Sequence, residues 1–150
     1  MREKRSVSVT PETGRARWAF PDADWRDDED LENLWIDSGG LSVLITTKRR
    51  RRYARIRWSS VVALEMVPDS LNLDRDVREL DRPASVYEIE HSRWLPSVMA
   101  VLPPGWPEPA HYMIRTSELS LDVAATEPPQ VEWGMRTLGG ISDLLEGGKA

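Results

Sequence analysis

Apolar and polar side chains alternate along several stretches of this chain, the period of two that a half-buried strand produces. In residues 86–91, Tyr87, Ile89 and His91 point one way, and Val86, Glu88 and Glu90 the other. Residues 41–47 are rich in Val, Ile and Thr and read as a strand. A loop at 48–51 follows, and 53–58 returns with Ala54, Ile56 and Trp58 inward and Arg55 and Arg57 outward. Ser59-Ser60 interrupts the pattern. Residues 61–67 extend again, with Val62, Leu64 and Met66 as the inward set. Short strands are expected at 16–20, at 34–37 before the Ser38-Gly39-Gly40 turn, and at 131–133 on an edge.

After His91 the period changes. Trp94, Leu95, Val98, Met99 and Leu102 are spaced by threes and fours, which predicts a short helix over about 92–102 lying on the sheet. Ser92 suits its N-cap, Pro96 falls early enough to be tolerated, and Pro103-Pro104-Gly105 stops it. A hairpin follows whose register can be read. With Thr116 opposite Leu119, Ile114 meets Leu121 and Tyr112 meets Val123 on one face. His111, Met113 and Arg115 share the other face with Ala124, Asp122 and Ser120. Both strands then sort into an apolar and a mostly polar face under one register.

These elements predict an α+β fold: a mainly antiparallel, twisted sheet of about six strands with one short helix packed on it. The helix carrying Trp94 is expected across the strand carrying Ile114, both side chains buried. Length fits one domain at 16–135. Residues 1–15 read as a mobile tail and 136–150 as a tail or loosely docked helix. Residues 22–30 look too acidic to pack, and the charged connection 68–83 is expected to carry one helical turn near Val77–Leu80.

The combination YEIEHSRWL, a proline-broken spacer, HYMIRT and then LDVAA resembles a group of small uncharacterised bacterial proteins. In that group a strand ending in Ser-x-Trp precedes a His-Tyr strand and an Asp/Glu-Val strand ending in small residues. The resemblance spans roughly residues 53–126 and implies a similar β-rich fold. It brings no activity and no assigned site.

Charge changes the picture more than composition does. The formal net charge is -5, which argues against a general nucleic-acid binder. Residues 22–37 hold eight acids against Arg26 alone, whereas 48–57 hold seven bases and no acid. The run containing Arg49, Arg50, Arg51, Arg52, Tyr53, Arg55 and Arg57 is therefore the candidate binding surface, its guanidinium forks suited to carboxylates on a protein partner with an acidic patch. The competing reading folds the run against the chain's own 22–37 segment. Cysteine is absent, so disulfides, thiol nucleophiles and Cys-type zinc sites are excluded. No apolar run is long enough to span a membrane and no signal-peptide core leads the chain, so a cytoplasmic location is the default expectation.

For chemistry, His111, Asp122 and Glu88 are the residues from which a small hydrolase or metal-dependent site could be built, because imidazole and carboxylate serve as acid–base groups and as ligands. His91 falls on the face opposite Glu88 and Glu90, which weakens a cluster around it. No Gly-x-Ser-x-Gly elbow or phosphate loop is present. No metal or cofactor is expected, and a non-enzymatic protein-binding module of the immunity or escort type is the leading functional reading.

Overall fold

A computed structural model describes residues 10–18, 29–47, 52–68, 77–78, 86–116 and 119–135. The strands are β1 (Glu12–Trp18), β2 (Glu29–Asp37), β3 (Gly40–Thr47), β4 (Arg52–Trp58), β5 (Val61–Pro68), β6 (Val77–Arg78), β7 (Val86–Glu90), β8 (Ala110–Arg115), β9 (Leu119–Ala125) and β10 (Gln130–Met135). One helix, α1 (Leu95–Met99), lies between β7 and β8. The fold is mainly antiparallel β, as expected, but its strands form two sheets where one of about six was expected. The larger sheet has the order β5-β9-β8-β7-β1-β6 and the smaller one β10-β4-β3-β2.

The smaller sheet follows directly from the alternation. Leu41 sits opposite Trp58, Val43 opposite Ile56 and Ile45 opposite Ala54, so the apolar sets of β3 and β4 fall on one face. Val131 and Trp133 of β10 join them opposite Ile56 and Ala54. In the larger sheet the β8–β9 hairpin has the expected register: Ile114 pairs with Leu121 and Tyr112 with Val123. The amide of Thr116 donates to the Leu119 carbonyl at the turn. These apolar faces meet in one core of Leu41, Val43, Ile45, Ala54, Ile56 and Trp58 from one sheet and Val86, Tyr112, Ile114, Leu121, Val123 and Ala125 from the other. Trp58 and Tyr112 bridge the layers with ring centroids 5.9 Å apart.

Ser59-Ser60, read as an interruption, is where the chain changes sheet. Thr126 and Glu127, at the second crossing, donate backbone amides to the Ser60 carbonyl and hydroxyl, which laces the crossings together. Gly40 at φ 116 makes the β2–β3 turn, where a Cβ would strike the Trp58 carbonyl.

Several local expectations change. β1 begins at Glu12, inside the stretch read as a tail, and β2 begins at Glu29, inside the acidic run. Val77–Arg78, expected in a helical turn, pairs parallel with β1. Met66, expected inward, is exposed although it pairs with buried Leu121, because β5 is the edge strand of the larger sheet. Residues 1–9 and 136–150 lie outside the described residues. No helix among those described is long and apolar enough to cross a membrane.

Candidate functional site

The site is built on β7 and β8. These are antiparallel neighbours, with Ile89 opposite His111, yet the chain between them runs from 91 to 109. Hairpin loops ordinarily take two to five residues, and a long excursion inside a compact fold is commonly a functional one. His91 starts it by taking φ 55, the left-handed conformation that turns the backbone out of the β7 line.

The excursion is fastened to the sheet at its start. The Ser92 hydroxyl lies 2.7 Å from Nδ1 of His111, and Nε2 of His111 lies 2.6 Å from the Asp122 carboxylate. In the arrangement that satisfies every group, the Ser92 O–H donates to Nδ1 and Nε2–H donates to Asp122. Ser92 Oγ also accepts from the amides of Trp94 and Leu95, at 3.2 and 3.1 Å. Ser92, expected as the N-cap, instead bonds the amides leading into the helix, whose N-cap is Trp94; α1 itself starts at Leu95 and is five residues long where a helix over 92–102 was expected. The Trp94 ring meets the His111 ring edge-on, with centroids 5.0 Å apart. A second fastener is the amide of Arg93, which donates to Glu12 Oε1 at 2.7 Å. Glu12 is buried on β1, so the excursion is tied to two strands.

This corrects the reading of the polar face. His111, Asp122 and Ser120 carry polar letters but are buried, His111 at 1% exposure and Asp122 at 2%. A buried carboxylate requires partners, and the imidazole across the strand pair supplies one. Ile114 faces the smaller sheet and is fully buried, whereas the half-buried Trp94 covers His111 on the opposite face of β8. The two were expected in one core and belong to two.

Glu88 does not join His111 and Asp122. It sits opposite Tyr112, a core residue of the inter-sheet face, while His111 sits opposite Ile89. Ser92 takes the third place instead. Ser92, Trp94, His111 and Asp122 converge here from positions far apart in sequence. Among the described residues, no group of three or more His, Asp or Glu could hold a metal ion.

The remainder of the excursion faces outward. Pro103 accepts from the Trp106 amide at 3.2 Å, and Gly105 takes φ 83, so Pro103-Pro104-Gly105-Trp106 is a type II turn. Met99, Val101 and Trp106 are exposed at 41%, 82% and 50%. The end is fixed by Pro109, which is buried.

The basic candidates lie elsewhere. Arg49, Arg50 and Arg51 fall outside the described residues. Tyr53, Arg55 and Arg57 stand on the outer face of the smaller sheet, away from the core. Tyr53 lies over Gly134 of β10, where any side chain would collide with its ring. Arg55 pairs with Glu132 at 2.7 Å. The Arg57 guanidinium lies against Gly39, beside the Asp37 carboxylate. Arg52 donates its amide to Thr47 Oγ1 across the β3–β4 connection. Arg55 is thus paired with an acid of the chain itself, while Arg57 stands near Gly39 in the neighbourhood of Asp37, which belongs to the 22–37 segment.

No family model matches the chain, and no curated protein or solved structure matches it.

Proposed function

We propose that this chain is a non-enzymatic protein-binding module of the immunity or escort type. The observation that carries the reading is the 91–109 excursion: a connection far longer than its antiparallel strands need, fastened by part-buried polar bonds and leaving Met99, Val101 and Trp106 exposed. Exposed apolar side chains on such a segment support an interaction surface. The outer face bearing Tyr53, Arg55 and Arg57 offers a second, charged contact for a partner with an acidic patch. Its net attraction is reduced by Glu132 and by the carboxylate near Arg57.

The test is reconstitution. The full chain and a co-purifying protein, once identified, should form a defined complex from pure components. A turnover that the pure chain sustains and that Ser92→Ala or His111→Gln abolishes would overturn the reading.

A second reading is a serine-dependent hydrolase, favoured by the Ser92–His111–Asp122 line. Two features oppose it. Ser92 Oγ already accepts two amide hydrogens, and the aspartate bonds Nε2 where the familiar triads bond Nδ1. A fluorophosphonate probe that labels Ser92 in a His111-dependent manner would carry this reading instead.

A further inference from the structure

We infer that the bond between Ser92 and His111 is an acid-released latch. It holds the start of the 91–109 excursion on the sheet while Nδ1 of His111 is bare, and lets go when that nitrogen takes a proton. The latch is a motion of the chain itself and does not depend on what the excursion binds.

The first ground is the number of bonds at one oxygen. A serine hydroxyl has one hydrogen to give and two lone pairs to accept with. Ser92 uses all three: it donates to Nδ1 of His111 at 2.7 Å and accepts the amides of Trp94 and Leu95 at 3.2 and 3.1 Å. A proton on Nδ1 turns that acceptor into a donor, and Ser92 has no lone pair left to meet it. Either an amide leaves the oxygen or a buried N–H stays unmet, and a buried donor without an acceptor is costly. The segment resolves the conflict by moving away. Trp94, whose ring centroid lies 5.0 Å from that of His111, leaves with it and lets water reach Nδ1.

The second ground is that the other side of the ring does not oppose the proton. Nε2–H donates to Asp122 in either state, and once the ring is charged the 2.6 Å contact becomes an ion pair. The sheet therefore keeps its imidazole, and the change falls on Ser92. The latched state holds one proton fewer at Nδ1, so falling pH favours release.

The third ground is the surroundings. Among the described residues, the other charged side chains on this face of the larger sheet are Glu12 of β1, Arg115 of β8 and Glu65 of β5. Arg115 and Glu65 are exposed, as are His91 and Arg93 on the excursion, so water screens all four. Arg15, Glu88 and Glu90 stand on the opposite face by alternation. Glu12 is the exception, buried and accepting the Arg93 amide at 2.7 Å. It is a second fastener of the same segment, and its carboxylate also binds less strongly once protonated.

The test is an NMR titration of the full chain from about pH 8 to pH 5, the interval in which imidazole ordinarily changes charge. The ring signals of His111 report its proton. Exchange protection of the Trp94 and Leu95 amides, corrected for the pH dependence of exchange itself, reports the latch. That protection should fall at least about tenfold in step with the His111 ring, while Ile114 and Val123 keep theirs. Ser92→Ala should leave the two amides weakly protected at every pH. Glu12→Gln, which keeps an acceptor oxygen and cannot titrate, should leave the midpoint in place. Protection that stays level while the His111 ring titrates would overturn the inference. So would a ring that takes its proton only when Ile114 and Val123 lose protection, because the proton would then arrive with global unfolding. A step that persists in Ser92→Ala, or vanishes in Glu12→Gln, would assign the release to another group and overturn it as well.

Discussion

The two faces of the larger sheet are held by different physics. The face toward the smaller sheet is dry: Ile114, Leu121, Val123 and Tyr112 meet Val43, Ile56 and Trp58 with almost no polar group among them. Its free energy comes from apolar area, about 1.5–3 kcal/mol for each large side chain fully buried, and the force has no preferred direction. The opposite face buries Ser120, His111 and Asp122 beside Met113 and Ala124. There the contribution comes from a few directed bonds, each worth little net but costly to leave unmade. The lesson concerns what each face can specify. A dry face fixes that two layers meet. A bonded face fixes where one segment sits, and here it fixes the start of the 91–109 excursion.

Substitutions can break or sharpen this contrast, and the dry face should show the largest effect. Ile114→Ala and Trp58→Ala should each cost about 2–5 kcal/mol in urea melts, with the loss scaling with the cavity left. A loss under about 0.5 kcal/mol for both would mean the inter-sheet core is misplaced. Trp58 also carries a buried Nε1 that has no partner among the described residues. Trp58→Phe, which removes that donor and keeps most of the ring, should therefore cost clearly less than Trp58→Ala.

The bonded face comes next. Asp122→Ala strands the Nε2–H of a buried imidazole and should cost about 1–3 kcal/mol, and His111→Ala about the same. The double variant should cost much less than the sum, because each change removes the same bond. Additive losses would show that the His111–Asp122 bond contributes nothing of its own. Hydrogen exchange gives the sharper measurement: in His111→Ala the amides of Trp94 and Leu95 should lose protection while those of Ile114 and Val123 keep theirs.

The smallest effects are expected from the basic run and from His91. Reversing Arg49, Arg50 and Arg51 to glutamate should leave the melting temperature nearly unchanged, as a solvated charge run would, because charges in water add little to stability. A drop of many degrees would show that the run is tied to the acidic 22–37 segment. His91→Gly should be neutral or stabilising by up to about 1 kcal/mol, since glycine takes the left-handed conformation without a Cβ clash. A large loss there would mean that the His91 ring, not its backbone, holds the turn.

How much of this was legible in the sequence follows the same division. The β3–β4 and β8–β9 hairpins were readable because their partners are near in sequence and the alternation allows one register only. The second sheet was not, because pairing β10 with β4 or β1 with β7 leaves no local trace. The burial of His111 and Asp122 was misread for a related reason. A polar letter predicts exposure only while its partner is unknown, and the partner stood eleven residues away on another strand. Ser92 was read as the helix N-cap, a place that Trp94 takes, and not as the third member of the line, since its one hydroxyl meets both His111 and the amides leading into the helix. Glu88 failed as a site residue on simple parity, one position from the face that would have brought it to His111.

The order of strands has a consequence for how the molecule comes into being. β2, β3 and β4 are consecutive and can pair as soon as they exist, but their sheet is closed by β10, the last strand described. β1 also waits: it lies between β6 and β7, with Glu12 opposite Val77 and Thr13 opposite Glu90, so its neighbours are made long after it. A chain leaving the ribosome therefore holds β1 unpaired until β6, at Val77–Arg78, has emerged, and it completes neither sheet until β9 and β10 arrive. Folding dominated by such distant pairings falls in the millisecond-to-second range. During that interval the apolar edge of β3 and β4 stands open, which makes the nascent chain a better target for chaperones than the finished molecule.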